Sequence, residues 1–158
     1  MDKETFCNNV KEYSEKLYFI AWAILKNEKD SEDAVEEAIL LAYEHLDQLK
    51  KPESFKAWIS KITKNEALKI KKKRLTLLDS NTVETLSGSH LDKYEEFSDI
   101  LQQLPEKFRL VIVLFYYDEL SLKEISKVLS VPVGTVKSRL SRAKKMLRDI
   151  LERGRINE

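Results

Sequence analysis

The ionisable side chains fall into blocks of one sign. Between Lys137 and Arg148 stand Lys137, Arg139, Arg142, Lys144, Lys145 and Arg148, with no acid among them. Between Lys56 and Arg74 the cations are Lys56, Lys61, Lys64, Lys69, Lys71, Lys72, Lys73 and Arg74, opposed by Glu66 alone. Between Glu28 and Asp47 the order reverses: Glu28, Asp30, Glu32, Asp33, Glu36, Glu37, Glu44 and Asp47 face only Lys29. Ammonium and guanidinium groups attract phosphate, whereas a carboxylate block repels it and must face something else. Two kinds of partner are implied. The chain total, 28 Lys and Arg against 27 Asp and Glu for a net +1, hides this sorting.

The carboxylates also invite a catalytic reading. Asp33, Glu36 and Glu37, at i, i+3 and i+4, share a helix face, as a metal-dependent nuclease would need. The rest of such a site does not follow. Neither His45 nor His90 has Glu three residues before it, and no Gly-rich phosphate loop or Ser/Cys–His arrangement stands out. Two histidines and the single Cys7 build neither a His-rich metal cage nor an internal disulfide. The expectation is a binding protein, with no catalytic residues, metal or cofactor.

Helices must position these blocks. Only three Gly and three Pro in 158 residues argue against a turn-rich β chain, and 42% hydrophobic residues suffice for a core. An apolar stripe from Phe6 to about Lys26 (Val10, Tyr13, Leu17, Ile20, Ile24) predicts a first helix. Ser31 is expected to cap a second, buried along Ala34, Val35, Ala38, Leu41, Ala42 and Leu46. After the loop at Lys50–Ser54, a third carries Phe55, Trp58, Ile59, Ile62, Leu68 and Ile70 into the basic run. From Leu75 to about Tyr94 no apolar period survives, which reads as a linker between domains. Helices are expected again over Glu96–Leu104 and Glu106–Tyr117. The opening residues MDKETFCNNV are polar and acidic, unlike a signal peptide, and no apolar run approaches the roughly twenty residues of a membrane span. A soluble, cytoplasmic, all-α protein is expected.

The most specific local pattern lies at Leu122–Leu147. Ser121 and Glu124 have capping-box spacing, Ser130-Val131-Pro132 makes a short turn, and a basic helix follows towards a stop at Gly154. Ile125, Val128 and Leu129 can pack on Val136, Leu140 and Ala143, which leaves Lys137, Ser138, Arg139, Ser141, Arg142 and Lys145 outward. This is the form of a helix-turn-helix, whose second helix fits the major groove. Arg139 and Arg142 are the candidates for base edges, Lys144 and Lys145 for phosphates.

The stretch LSLKEISKVLSVPVGTVKSRLSRAKKML closely resembles the C-terminal helix-turn-helix of extracytoplasmic-function (group four) sigma factors of bacterial RNA polymerase, in the sigma-70 superfamily. LQQLPEKFRLVIVLFYYDEL matches the helices that precede it, and DSEDAVEEAILLAYEHLDQLKKPESFKAWISKITKNEALKIKKKR resembles sigma domain two. Where the family commonly has Asp-Leu-Val-Gln-Glu, this chain has Asp33-Ala34-Val35-Glu36-Glu37, so its acidic helix is more acidic. The resemblance implies two small helical domains: sigma domain two at 1–74, a flexible linker at 75–95, and sigma domain four at 96–158.

It further implies a promoter-specificity subunit. Asp33, Glu36, Glu37, Ile39, Leu40 and Tyr43 would dock on the β′ clamp helices of core RNA polymerase, and domain four would meet the flap of β. Tyr43 reads equally well as a core aromatic. Lys61, Lys64, Asn65, Lys69 and Lys73 would hold minus-10 DNA as a separated strand, the loop 50–55 and Asn65 supplying a place for unstacked bases. Trp58 reads as core packing rather than a stacking platform. Lys137, Ser138, Arg139, Arg142 and Lys145 would read duplex minus-35 DNA. An anti-sigma factor, often membrane-anchored, would restrain the protein until an envelope stress releases it, with no membrane insertion by this chain. The rival reading is a helix-turn-helix regulator that binds promoters without core polymerase.

Overall fold

A computed structural model describes residues 1–77 and 95–156, except the side chains of residues 95, 96, 155 and 156. The described residues are helical, without a strand. The chain divides into two compact units, residues 1–87 and 88–158.

The first unit is three helices: α1 (Lys3–Leu25), α2 (Glu28–Glu44) and α3 (Phe55–Leu77). Asp2 caps α1 by accepting from the Thr5 N–H at 2.7 Å. Matching contacts advance together along α1 and α3. Phe6 meets Phe55, Tyr13 meets Ser60, and the Leu25 carbonyl meets Arg74, so the two helices run parallel. Helix α2 returns between them, with Asp30 near Arg74 at one end and Tyr43 near Phe6 at the other. Leu17, Ile20, Ala34, Ala38 and Ile59 are fully buried at the centre. Burying each leucine or isoleucine side chain there contributes about 1.5–3 kcal/mol.

Two local expectations fail here for identifiable reasons. Asn27, not Ser31, caps α2: its side chain accepts from the Asp30 N–H at 2.9 Å. Ser31 lies one turn inside, fully buried, donating its hydroxyl to the Asn27 carbonyl at 2.6 Å. The buried arc of α3 also differs from the one traced by its large apolar residues. It consists of Phe55, Ala57, Ile59, Ser60, Thr63, Lys64, Glu66 and Ala67, while Leu68 is 40% exposed. Helix α3 packs against both α1 and α2, and small residues allow that approach. Thr63 satisfies its own hydroxyl by donating to the Ile59 carbonyl at 2.9 Å.

The second unit contains α4 (Glu95–Gln102), α5 (Glu106–Ile112), α6 (Leu122–Leu129) and α7 (Val133–Ile156). Leu101, Val111, Leu114, Ile125, Val128, Val136 and Ala143 form its core. Buried Arg109 donates to the Leu104 carbonyl at 2.8 Å, and burial holds its pKa below the usual guanidinium range. After Ile112 the helix widens into a π turn over Val113–Tyr117, where the Asp118 N–H donates to the Val113 carbonyl at 3.0 Å. Glu119 then reverses the chain at φ 57°, returning Leu120 to the core.

The capping box forms as expected. The Glu124 N–H donates to Ser121 Oγ at 3.1 Å, and the Ser121 N–H to Glu124 Oε1 at 3.0 Å. Ser130 takes the left-handed conformation, φ 56°, that joins α6 to α7. Helix α7 continues through Gly154 to Ile156, so the expected stop at Gly154 does not occur. Of the stretch expected as a linker at 75–95, Leu75–Leu77 belong to α3 and Glu95 to α4. Its remaining residues, 78–94, with His90 among them, lie outside the described residues.

Candidate polymerase and nucleic-acid interfaces

Helix α2 buries Ala34, Val35, Ala38 and Ala42 and turns Asp33, Glu36, Glu37, Leu40 and Glu44 outward. These recur at i, i+3, i+4, i+7 and i+11, a single stripe. Among the described residues, Asp33, Glu36 and Glu37 make no ion pair. Leu40 is 58% exposed within the stripe, and Ile39 is half-buried beside it. Tyr43 is 41% exposed, and its ring lies 5.9 Å from that of Phe6 with the Lys3 ammonium 5.4 Å from its centroid. Among the described residues no three His, Cys, Asp or Glu side chains converge as a metal site.

On α3, Lys61, Asn65, Lys69 and Lys73 are all exposed. They follow one another at i+4, a cationic stripe interrupted by one amide. Lys69 also pairs with Glu66 at 2.9 Å. Two cations of the block face inward instead. Arg74 bonds Asp30 and the Leu25 carbonyl. Lys64, expected among the DNA contacts, is only 8% exposed, because it falls on the arc packed in the bundle. Burial, reinforced by repulsion from Lys61, lowers its pKa below the usual lysine value.

Asn65 and the loop 50–55 border different cavities. Asn65 lines an open cavity of about 480 Å³ between the end of α2 and the middle of α3, with Leu41, His45, Gln48, Trp58, Ile62, Glu66 and Lys69. Trp58 is half-buried in its wall, 6.5 Å from Phe55, so one residue packs inward and offers a surface to the cavity. His45 and Gln48 were missed by sequence reasoning. They lie in the turn after α2, where no periodicity indicates which side chains point back. Pro52, Glu53 and Phe55 border a separate cavity of about 300 Å³ against Asn9, Tyr13 and Lys16 of α1.

In the second unit, Lys137, Ser138, Arg142 and Lys145 of α7 are exposed and Arg139 is half-buried. Buried Val136, Leu140 and Ala143 hold the opposite side of the helix on the core. Lys137, Ser141, Arg142, Lys144, Lys145 and Arg148 line an open cleft of about 620 Å³ with Leu122 and Leu140. Arg139 lies 200° around α7 from Lys137 and is not in that cleft. Lys144 places its ammonium 5.7 Å from the ring centroids of both Phe115 and Tyr116. This arrangement presents four donors, Lys137, Arg142, Lys145 and Arg148, on one helix about 10–12 Å thick, a width the major groove admits.

Comparison with known proteins finds relatives along most of the chain. Residues 10–75 match the family model for Sigma-70 region 2, and residues 94–147 that for Sigma-70 region 4. The chain is 33% identical over 166 residues to the ECF RNA polymerase sigma factor SigW of Bacillus subtilis, covering 93% of this chain and 89% of that protein. It is 31% identical over 143 residues to RNA polymerase sigma factor SigV of the same organism, covering 88% and 86%. Two solved structures share the fold. Sigma factor RpoE of Bartonella quintana, in complex with the anti-sigma factor NepR, superposes with a TM-score of 0.81 at 24% identity, covering 94% of this chain and 98% of that one. CnrH, in complex with the cytosolic domain of CnrY, gives 0.73 at 23% identity, covering 96% and 90%.

Proposed function

The chain belongs to the extracytoplasmic-function sigma factors of the sigma-70 family, and on that footing we propose how its surfaces divide the work of promoter-specific initiation. The acidic stripe of α2 (Asp33, Glu36, Glu37, with Ile39, Leu40 and Tyr43) docks on the clamp helices of β′ in core polymerase, and the second unit meets the flap of β. Helix α7 enters the major groove of the minus-35 element, with Lys137, Ser138, Arg142 and Lys145 outermost and Arg139 reaching from its flank. Helix α3 takes the minus-10 element: Lys61, Lys69 and Lys73 track the phosphates, and the cavity of Trp58, Asn65, His45 and Gln48 receives an unstacked base. On this division the first domain extends to the end of α3 and the second begins with α4.

One observation carries the reading: exposed charge is sorted into blocks, carboxylates from Glu32 to Glu44 of α2 and cations from Lys61 to Lys73 of α3 and from Lys137 to Arg148 of α7. Extracting a base from duplex costs a few kcal/mol. Stacking on an aromatic surface returns about 1–3 kcal/mol per base, and phosphate contacts add a salt-sensitive contribution. Binding of this kind can bias strand opening without any catalytic group, so the protein is a specificity subunit rather than an enzyme. An anti-sigma factor restrains it before an envelope stress. The Bartonella RpoE structure, in complex with the anti-sigma factor NepR, supports that relationship, and the CnrH structure likewise holds a bound partner, the cytosolic domain of CnrY. Among the described residues no helix is long and apolar enough to cross a membrane. On this reading the protein acts in the cytoplasm, with any membrane tether carried by the anti-sigma factor.

Run-off transcription on a promoter library tests the reading. Core polymerase with this protein should initiate from a defined subset of promoters that core alone ignores. A specific promoter footprint by the protein without core polymerase, and no gain in transcription with it, would establish the regulator reading instead.

A further inference from the structure

Resting on that division of surfaces, we infer that Arg74 is a positioning residue that fixes the DNA-facing helix α3 to the corner joining α1 and α2. It closes the run Lys71-Lys72-Lys73-Arg74 and by sequence belongs with the phosphate-binding cations. In the structure its guanidinium turns inward. Nη1 donates to the Leu25 carbonyl at 3.1 Å, and Nη2 donates to Asp30 Oδ2. The Arg74 side chain is 19% exposed and that of Asp30 30%, so the pair is sheltered but not sealed from water.

Both acceptors suit a cation for reasons set by the backbone. Leu25 is the last residue of α1, and Lys26 beyond it turns left-handed at φ 52°, so the Leu25 carbonyl has no helical N–H to accept from. It also lies at the negative end of the α1 dipole. Asp30 stands in the first turn of α2, where the positive helix end holds a carboxylate in place. One planar fork therefore binds the end of one helix and the start of the next, which a single ammonium does not reproduce.

The position gives the bridge its consequence. The buried arc of α3 ends at Ala67, and from Leu68 to Leu77 no side chain is buried. Lys69 and Lys73 project from that segment. Arg74 sets its direction relative to α2, and thereby the angle between DNA-facing cations and the polymerase-facing carboxylates.

The competing role, a phosphate contact, predicts the opposite sign for one substitution. If Arg74 binds phosphate, Asp30→Asn removes a nearby negative charge and frees the guanidinium, so promoter binding should strengthen while Arg74→Gln weakens it. If Arg74 is a bridge, both variants break the same link. Holoenzyme carrying Asp30→Asn or Arg74→Gln should then show about fivefold less open complex on duplex promoters, a size fitting a sheltered, charge-assisted pair. Opening of a pre-melted bubble template, affinity for core polymerase and the salt slope of promoter binding should stay at wild-type values. Arg74→Lys, which keeps the charge and loses the fork, should resemble Arg74→Gln. Hydrogen exchange should accelerate at amides 70–77 while protection in α1 and α2 persists; should Arg74→Gln not fold, Asp30→Asn decides alone. Stronger opening with Asp30→Asn, or a salt slope reduced by about one with Arg74→Gln, would overturn the bridge. Wild-type protein that fails to programme core polymerase would instead overturn the functional reading beneath it.

Discussion

Replacing Lys64 by methionine should stabilise the first unit and leave DNA binding intact, although Lys64 sits within a cationic block. Its side chain is 8% exposed, and among the described residues it makes no ion pair. Burial first, and Lys61 second, depress its pKa below that of a lysine in the unfolded chain. Between the two pKa values the unfolded chain therefore binds more protons, and stability rises with pH across that window. The cost is present in full below the folded pKa and gone above the unfolded one. Methionine fills a similar volume without the charge. Removing a poorly compensated buried charge is worth about 1 kcal/mol at pH 7, the low end for such replacements, because some solvent still reaches this edge of α3. In a unit of this size that raises Tm by about 4–8 °C. Both tryptophans, Trp22 and Trp58, lie in the first unit, so fluorescence during urea unfolding reports on it alone. The advantage of Lys64→Met over wild type should be present at pH 7, shrink as pH rises from the lowered folded pKa to the unfolded one, and be gone beyond it. Promoter binding by holoenzyme should keep its salt slope, whereas Lys61→Ala should lower it by about one. A destabilised Lys64→Met protein with a slope reduced as much as in Lys61→Ala would refute the reasoning and return Lys64 to the DNA face.

Ser121→Ala removes the acceptor for the Glu124 N–H and should cost about 1 kcal/mol, read as faster hydrogen exchange confined to the start of α6. Arg142→Ala should weaken minus-35 recognition by about 1–3 kcal/mol at one base pair; an equal loss on every sequence would mark a phosphate contact instead. Trp58→Ala should reduce holoenzyme affinity for single-stranded minus-10 oligonucleotide by about 1–3 kcal/mol while duplex minus-35 binding is retained, measurable by fluorescence anisotropy.

The all-helical fold was legible because its signals are local. A capping box, a proline-bearing turn and apolar residues three or four apart each act within one helix, and Ser121, Glu124 and Ile125 take the places their spacing predicts. The block structure of charge was equally plain. What sequence reasoning missed depends on which neighbour a helix meets. The face of α3 is decided by close approach to both α1 and α2, which selects Ala57, Ser60 and Ala67 over Leu68 and moves Lys64 inward. The inward turn of Arg74 is not legible in the sequence because its acceptors, Asp30 and the Leu25 carbonyl, are 44 and 49 residues away. Ser31 and Asn27 are both good caps, and only the start of α2 at Glu28 chooses between them. The cavity at Asn65 draws His45 and Gln48 from a turn without a pattern, while the loop expected to complete it faces α1.

The sorting of charge is tested most directly by reversing it on α2 alone. Glu36→Lys with Glu37→Lys places two cations on exposed positions that bury nothing, so the fold should persist. Affinity for core polymerase, measured by fluorescence anisotropy of labelled protein, should then be lost, while the protein's residual binding to duplex minus-35 DNA is kept or strengthened. Unchanged affinity for core polymerase in a folded double variant would contradict the account.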